Sequence, residues 1–324
     1  MGYPIEYVEA PKGSPRYTYK YWSQEFRLNI QAGGFDIVTG LFYQNYDETR
    51  VNFLPVAIGR VDPMTGGQSP FAIVSINDTF SAVSDNTYAA FGDVTYGVTD
   101  TIKLFGGLRY TREEVKPSFT NRIFNAAPLA SLDPETGVVT GAVPDVDIGF
   151  TTSGKYNNLS GRVGVQWRPT PNLNFYASYN RGYKGPAVNQ GRTVVSASES
   201  LLRPEIADAF EIGSKSRFMD GRLGLDISLY YQKIKDVQQA SLIPGTILST
   251  LLNAGDLKTK GFQVDAFFEP VRGLNLRAAV VYNDAYYSGT DIAGQPIAYI
   301  CGPTPTPRCV GGIQSLVGQQ ALGT

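Results

Sequence analysis

Apolar and polar side chains alternate one by one along many stretches of this chain. In Arg222–Gln232, RLGLDISLYYQ, the odd-numbered positions carry Leu, Ile and Tyr, and the even-numbered positions are mostly polar or glycine. Successive side chains of a β-strand point to opposite faces, so the pattern predicts a strand with one apolar and one polar face. The same alternation occurs in Leu173–Tyr179 and Leu274–Tyr282. Long two-faced strands are typical of a wall between lipid and water.

Ten segments show this period of two, and each is about 11 to 15 residues long. Strands of soluble proteins usually have about 5 or 6 residues, whereas a tilted strand needs about 9 to 11 to cross a bilayer. The lengths therefore favour a membrane wall. The predicted strands are Tyr17–Ile30, Phe35–Tyr46, Asn86–Tyr96, Thr101–Val115, Tyr156–Arg168, Asn172–Lys184, Glu205–Met219, Arg222–Lys235, Leu257–Glu269 and Leu274–Tyr287.

The connections between these segments alternate between short and long. The short ones are rich in Gly, Pro and Asp, which supply the backbone angles of tight hairpins. They are Gln31–Gly34, Gly97–Asp100, Pro169–Pro171, Asp220–Gly221 and Pro270–Gly273. The long ones are Asp47–Asp85, Lys116–Lys155, Gly185–Pro204, Asp236–Asp256 and Ser288 to the end. This layout predicts an all-β fold, an antiparallel transmembrane β-barrel segment of about ten long strands with short periplasmic turns and long extracellular loops.

Aromatic residues lie near the ends of the predicted strands, where amphipathic rings favour the lipid headgroups. Packing in an ordinary β-sheet core is the alternative for any single ring. An open sheet in lipid would leave the backbone groups of its edge strands unpaired, at several kcal/mol each. We therefore expect further strands to complete the barrel. The aromatic residues are Tyr43, Tyr46, Trp167, Tyr179, Tyr183, Tyr230, Tyr231, Tyr282, Tyr286 and Tyr287.

Composition narrows the possible functions. The chain has 324 residues, a formal net charge of -1, 42% hydrophobic residues and no histidine. Its Lys and Arg residues are scattered among Asp and Glu, which argues against nucleic-acid binding. No apolar run approaches the roughly 18 residues of a spanning helix. Without histidine the common Ser/His/Asp and Cys/His triads cannot be built, so we expect no enzyme activity, no catalytic residues and no cofactor.

Five segments resemble the barrel of TonB-dependent outer-membrane receptors, and they follow one another in the order found in that family. They are Ser23–Leu28 (SQEFRL), Phe35–Gln44 (FDIVTGLFYQ), Asn157–Gly185, Leu202–Asp236 and Asn253–Tyr287. The resemblance covers most of the chain outside the long connections. Each segment falls on a predicted hairpin, and the series as a whole is more specific than any one of its members.

The resemblance implies a 22-stranded barrel filled by an amino-terminal plug, preceded by a segment that binds TonB. It implies residence in the outer membrane of a Gram-negative bacterium and energised uptake of a nutrient. The expected partners are membrane lipid, the TonB complex and a small-molecule ligand, above all an iron-siderophore. Residues 1–324 are accordingly expected to be a partial barrel domain without plug or final strands, and we expect upstream sequence to encode the plug. A self-contained passive channel and a soluble or surface β-rich binding protein are the alternatives.

Charged side chains occupy the polar face of the predicted strands. In a barrel they would face the lumen, where in the family such residues contact the plug or line the pathway. The alternative is a solvated face with cross-strand pairs worth about 0.2 to 1 kcal/mol each. These residues are Lys103, Arg109, Arg162, Arg168, Glu211, Lys215, Arg217, Arg222, Asp226, Asp265 and Arg277.

Ligand contact is expected in the loops and at the outer strand ends. Arg181, Tyr183 and Lys184, within SYNRGYKG, could bind an anionic aromatic ligand by charge and stacking. They could equally be interface anchors in which basic groups reach lipid headgroups.

The two cysteines, Cys301 and Cys309, lie close together in CGPTPTPRC. Such a small loop closes easily, so in an oxidising compartment we expect a disulfide between them. Two free thiols are the alternative in a reducing one. A zinc site is disfavoured because histidine and further cysteines are lacking, and no metal ligands are predicted.

Overall fold

The computed structural model describes residues 5–7, 16–58, 73–128, 146–190, 196–242, 249–288, 298–300, 309–310 and 313–315. Nearly all of these residues belong to β-strands. The helical structure among them is one short 3-10 turn, Ala197–Glu199. None of the described helical residues makes a helix long and apolar enough to cross a membrane.

The strands vary from two to 27 residues in length, and the long ones follow one another as antiparallel hairpins. In chain order they are β1 (Ile5–Tyr7), β2 (Arg16–Ala32), β3 (Phe35–Ile58), β4 (Ile73–Gly97), β5 (Ile102–Pro128), β6 (Val146–Thr151), β7 (Gly154–Thr170), β8 (Leu173–Lys184), β9 (Glu205–Phe218), β10 (Leu223–Lys235), β11 (Gln238–Leu242), β12 (Ser249–Asn253), β13 (Asp256–Phe268), β14 (Leu276–Ser288), β15 (Ala298–Ile300), β16 (Cys309–Val310) and β17 (Ile313–Ser315).

A twelve-stranded antiparallel sheet unites the long strands in the order β1-β3-β4-β5-β7-β8-β9-β10-β13-β14, with β2 paired to β3 and β6 to β5. The β11–β12 hairpin and the group β15-β17-β16 form two small separate sheets. Strands that are neighbours in sequence are thus neighbours in space, as short hairpin connections require. The strands β2 and β14 lie at opposite edges of the large sheet and do not pair with each other among the described residues.

All ten predicted long strands are present, but three of them are much longer than the alternation indicated. The predicted connection Asp47–Asp85 is wrong over Asp47–Ile58 and Ile73–Asp85, where β3 and β4 continue their ladder. Lys116–Lys155 is likewise wrong over Lys116–Pro128, which extends β5. The inner side of this extension buries polar side chains, since Thr79, Ser81 and Asn121 are at most 5% exposed. Alternation of apolar and polar residues fails there because no apolar medium lines the outer face.

The short turns lie where the sequence predicted them. Gly33 and Gly34 join β2 to β3 with φ of 57° and 85°, in the left-handed region that favours glycine. Between β9 and β10, Asp220 and Gly221 also have positive φ, and Met219 joins them at 54°. These backbone angles explain why Gly and Asp mark the tight end of the sheet.

The apolar rows of the long strands are exposed rather than packed against one another. Leu41, Leu108 and Val163 are 56 to 63% exposed, and the described residues contain few buried apolar side chains. A soluble sandwich would bury these rows between two sheets. We call this side of the sheet the outer face and the side that carries the charged residues the inner face. The exposed apolar rows are those of a lipid-facing transmembrane sheet.

Aromatic rings lie at both ends of the apolar band. Near the long connections, Tyr43 packs between Trp22 and Tyr88 with ring centroids 5.3 and 5.0 Å apart. Near the tight turns, Trp167 stacks on Phe175 at 5.5 Å. On the outer face of β5 the band ends at Tyr110, because the next outward residues are charged, Arg112 and Glu114, joined by an ion pair of 2.7 Å.

Candidate functional site

The three residues predicted to contact a ligand lie at the outer end of β8, and each bonds a different carboxylate. The Arg181 guanidinium donates to Asp208 at 2.8 Å, and the Lys184 ammonium donates to Glu205 at 2.7 Å. Both carboxylates are on β9, the partner strand. The ion pairs hold the two cations in defined positions while leaving more than a third of each cationic side chain exposed.

Tyr183 has a different environment, since its hydroxyl donates to Glu113 of β5 at 3.0 Å. Burial and the nearby Glu113 carboxylate both raise the pKa of Tyr183, so this hydroxyl keeps its proton. Glu113 also lies against the backbone of Gly185, where any Cβ would collide with its carboxylate. The end of β8 is thereby fastened to β5, although β7 lies between them in the sheet.

Glu113 forms a carboxyl pair with Asp85 of β4. Glu113 is 7% exposed, and its carboxyl group lies near enough to that of Asp85 for the two to influence each other's ionisation. Burial, and then the charge of Asp85, raise the pKa of Glu113 to about 7. Burial also raises the pKa of Asp85. Both residues lie beyond Tyr110, outside the apolar band, so the pair belongs to the mouth of the inner face.

A buried amide joins three segments at this end of the sheet. Asn253, at the end of β12, is 0% exposed. Its oxygen accepts from the backbone N–H of Arg203 at 2.9 Å, and its NH₂ donates to the carbonyls of Arg203 and Asp236 at 3.0 and 2.7 Å. Arg203 and Asp236 also form an ion pair of 2.6 Å. Every hydrogen-bonding atom of this side chain therefore has a backbone partner.

Two further side chains fasten the β11–β12 hairpin to the connection between β8 and β9. Gln238 donates its side-chain NH₂ to the carbonyls of Gly185 and Arg203, and its backbone N–H donates to Glu205 at 2.7 Å. Asn189 donates to the Thr250 hydroxyl at 2.9 Å. The two connections thus form one unit, which we call the rim, comprising residues 185–190, 196–204 and 236–256 as far as they are described.

Charged side chains also line the inner face between the mouth and the turns. Arg162 reaches across β5 to bind Asp93 through two hydrogen bonds of 2.8 and 2.9 Å, and the Asp93 carboxylate lies against Gly107, where a Cβ would collide with it. Arg217 binds Asp226 at 2.6 Å. Near the turns a groove of about 660 Å³ contains Arg217, Asp226, Asp265 and Arg277 among its lining residues. The inner face therefore offers a polar, charged path rather than an apolar one.

Sequence reasoning found the three residues at the end of β8 but not their partners. Arg181 and Asp208 have the parity of Tyr179, which lies opposite the outer-face Val163 and donates its hydroxyl to Asp208 at 2.6 Å, so this ion pair lies on the outer face. Glu113, Asp85, Asn253 and Gln238 carry no local signal, because their roles depend on strands that are distant in sequence. No cluster of three or more metal-ligating side chains occurs among the described residues. The predicted disulfide involves Cys301, which lies outside the described residues, so that pairing stays a prediction.

Comparisons with known proteins match the chain to one family. Residues 5–308 match the family model described as "TonB dependent receptor-like, beta-barrel". A probable TonB-dependent siderophore receptor, PiuA of Acinetobacter baumannii, is 26% identical over 140 residues, which are 42% of this chain and 18% of that protein. The catecholate siderophore receptor Fiu of Escherichia coli K12 is 25% identical over 210 residues, 63% of this chain and 27% of that protein. The chain thus spans about a quarter or less of these relatives' length.

Among solved structures, the ferric yersiniabactin uptake receptor FyuA of Yersinia pestis superposes with a TM-score of 0.61 at 18% identity. The superposition covers 85% of this chain and 36% of that one. At this identity the likeness shows the fold.

Proposed function

Because the chain belongs to the TonB-dependent receptor-like β-barrel family, we propose that the protein containing it takes up a scarce nutrient, above all an iron-siderophore, with energy relayed by the TonB complex. The family consists of transport receptors in the outer membrane of Gram-negative bacteria, and this chain is part of such a barrel.

The observation that carries the proposal is the pairing of a lipid-facing apolar row with a charged inner face on ten long antiparallel strands. Such a wall separates lipid from a polar lumen and permits passage of a polar solute. The siderophore assignment is supported by the relatives PiuA, Fiu and FyuA, each of which is described as a receptor for a siderophore or ferric chelate.

We propose that Arg181, Tyr183 and Lys184 contact the ligand at the outer end of β8. Asp208 and Glu205 hold the two cations in place, and the exposed portions of both side chains can donate to an anionic group. The Tyr183 hydroxyl is engaged with Glu113, which leaves the ring to stack on an aromatic chelate. The rim keeps this strand end from fraying.

Uptake by cells tests the transport proposal. Cells that express the full-length protein are given an iron-loaded catecholate siderophore, and cell-associated iron is compared in strains with and without functional TonB. We expect accumulation that requires both the protein and TonB. Accumulation that is equal in the strain without TonB would instead indicate a passive channel.

A triple substitution tests the ligand contacts. Arg181→Gln, Tyr183→Leu and Lys184→Gln together should lower siderophore binding by roughly tenfold or more, since two charge-assisted contacts and a stacking surface are lost. The matched control combines Arg112→Gln with Lys155→Gln. These two cations both pair with Glu114 on the outer face, so their loss should leave siderophore binding unchanged. Unchanged uptake by the triple variant would refute these contacts.

A further inference from the structure

Lysines are concentrated on the outer face of β10 and β13, just beyond the apolar band. On β10 the last ring of the band is the exposed Tyr231, and Lys233 is the next residue on that face. On β13 the last ring is the exposed Phe262, and Lys260 and Lys258 follow it toward the long connections. Because side chains alternate across a strand, all three lysines share the face of the exposed apolar rows.

Two of these lysines face each other directly, since Lys233 and Lys258 are cross-strand partners in the β10–β13 register. Directly opposed side chains have Cβ atoms about 4.5 to 5.5 Å apart, and like charges in such a pair are destabilising. Carboxylates compensate part of the charge, because Lys233 pairs with Asp256 at 2.8 Å and Lys260 with Asp284 at 3.5 Å. An anion bound between Lys233 and Lys258 would offset the remaining repulsion.

The net charge at this end of the outer face is positive even when its carboxylates are included. Beyond the band, β10, β13 and β14 carry four lysines and two carboxylates on this face, an excess of two positive charges. On the neighbouring β9, Asp208 is balanced by Arg181 of β8. The excess lies on the lipid side of the wall, so it does not depend on what fills the barrel. The lysines are Lys233, Lys235, Lys258 and Lys260, and the carboxylates are Asp256 and Asp284.

We propose that Lys233 and Lys258 form a binding site for a phosphate group on the headgroup of an outer-leaflet lipid. A phosphate has several acceptor oxygens, so one group can accept from both ammonium groups and relieve their repulsion. The exposed rings of Tyr231 and Tyr282 lie beside the lysines, and such rings favour the level of the lipid headgroups. Basic groups at that level attract anionic lipids.

The position favours a lipid over a free phosphate ion. Leu229 and Phe262 are exposed cross-strand partners on the same face, within the apolar band next to the lysines. A lipid therefore places its acyl chains on this apolar row while its headgroup contacts the ammonium groups, whose stems extend along the apolar surface. A free phosphate ion gains the charge contact alone. The site goes beyond nutrient uptake, because it requires only that the barrel lies in a membrane.

Native mass spectrometry of the full-length protein in detergent micelles measures the binding, with diphosphoryl lipid A as the probe. Phosphatidylcholine, whose headgroup has no net charge, corrects for general adhesion of lipid. We expect lipid A to bind in a saturable way and more tightly than phosphatidylcholine, and excess inorganic phosphate not to displace it. Lys233→Gln with Lys258→Gln should weaken lipid A binding by about thirtyfold, because each lysine near an anionic membrane surface contributes about fivefold.

Two further variants separate the site from general charge and from folding damage. Lys103→Gln with Lys215→Gln removes the same number of lysines from the inner face and should leave lipid A binding unchanged. Lys233→Arg with Lys258→Arg keeps both charges and should keep the binding. The proposal is overturned if the Lys233→Gln, Lys258→Gln variant binds lipid A as tightly as the unmodified protein, if phosphatidylcholine binds equally well, or if inorganic phosphate displaces lipid A. Because lipid binding is read without transport, its failure would leave the proposed uptake untouched.

Discussion

Gly40 lies on β3 where a neighbouring backbone and an aromatic ring leave no space for a side chain. A Cβ at this position would overlap the carbonyl oxygen of Phe26 and lie 2.6 Å from a ring carbon of Phe91. We predict that Gly40→Ala lowers the free energy of unfolding by about 2 kcal/mol, because the strand or the ring must shift. Urea unfolding followed by tryptophan fluorescence measures the change.

Gly92 is the matched control for this substitution. It lies on β4 opposite Thr39, the neighbour of Gly40, and an added Cβ would have its nearest contact at 3.9 Å. Gly92→Ala should therefore leave the unfolding midpoint nearly unchanged. Equal effects of the two substitutions would show that the close approach at Gly40 is absent in solution.

The raised pKa of Glu113 predicts that the stability of the protein depends on pH. Its pKa rises from 4.5 to about 7 on folding, so between these values the folded state holds a proton that the unfolded state releases. The contribution of Glu113 to the free energy of unfolding is therefore complete below about pH 4.5 and is lost as the pH rises to about 7. Glu113→Gln should remove this slope and raise stability at pH 8 by about 1 to 3 kcal/mol, since a neutral amide replaces the charged form.

The adjacent Glu114 supplies the control for this pH effect. It lies on the outer face and pairs with Arg112, which lowers rather than raises its pKa. Glu114→Gln should keep the wild-type slope between pH 5 and 7. Urea midpoints measured at several pH values test this prediction, and a slope in Glu113→Gln identical to that of the wild type would contradict a raised pKa of Glu113 in the folded state.

At the scale of elements, the rim depends on Asn253. Substitution by Ala would leave the Arg203 N–H and the carbonyls of Arg203 and Asp236 without their buried partner. We predict a local loss of about 2 to 4 kcal/mol, at roughly 1 kcal/mol or more for each unsatisfied group. Hydrogen exchange in peptides covering residues 196–204 and 236–242 should accelerate together, because the same side chain holds both.

Asn180 on β8 provides a control for the asparagine substitution. It is exposed and donates its amide only to the nearby Ser178 hydroxyl at 3.2 Å. Asn180→Ala should leave exchange in both peptides unchanged. Exchange that accelerates in one peptide alone for Asn253→Ala would show that the two connections do not behave as one unit.

The observed strand lengths show which strand ends the alternation of apolar and polar residues predicts and which it does not. Within the apolar band, alternation located β8, β9 and β10 to within about a residue at each end, because lipid on one side and water on the other impose it. Beyond the band, β3, β4 and β5 continue without a continuous apolar row on the outer face, and their inner face buries polar and apolar residues together, such as Ser81 and Val115. Cross-strand hydrogen bonds sustain those extensions, and such bonds impose little on sequence.

At the scale of the whole molecule, the tight turns and the long connections lie at opposite ends of the sheet, which predicts which end faces the periplasm and which faces the outside. The turn at Asp220–Gly221 should face the periplasm and the connection between β8 and β9 the outside. An epitope tag inserted at the turn should be invisible to antibody on intact cells, whereas one inserted between residues 191 and 195 should be labelled. Labelling after the outer membrane is permeabilised controls for expression, and the reverse pattern would contradict the orientation.

The backbone groups at the two edges of the large sheet require hydrogen-bond partners in a membrane. The strands β2 and β14 each have one side without a described partner strand, and unpaired backbone groups in lipid cost several kcal/mol each. We predict that in the membrane these sides pair with strands outside the described residues.

The amino-acid sequence by itself determined the strands in the membrane, their faces and the tight turns, since each follows from local rules of alternation and backbone angle. It also identified Arg181, Tyr183 and Lys184 as basic and aromatic groups at a strand end. Only the tertiary structure decided their acidic partners, the Asp85–Glu113 pair and the rim at Asn253. Those contacts join residues that are tens of positions apart, and their distances and burial depend on strand register rather than on any local pattern.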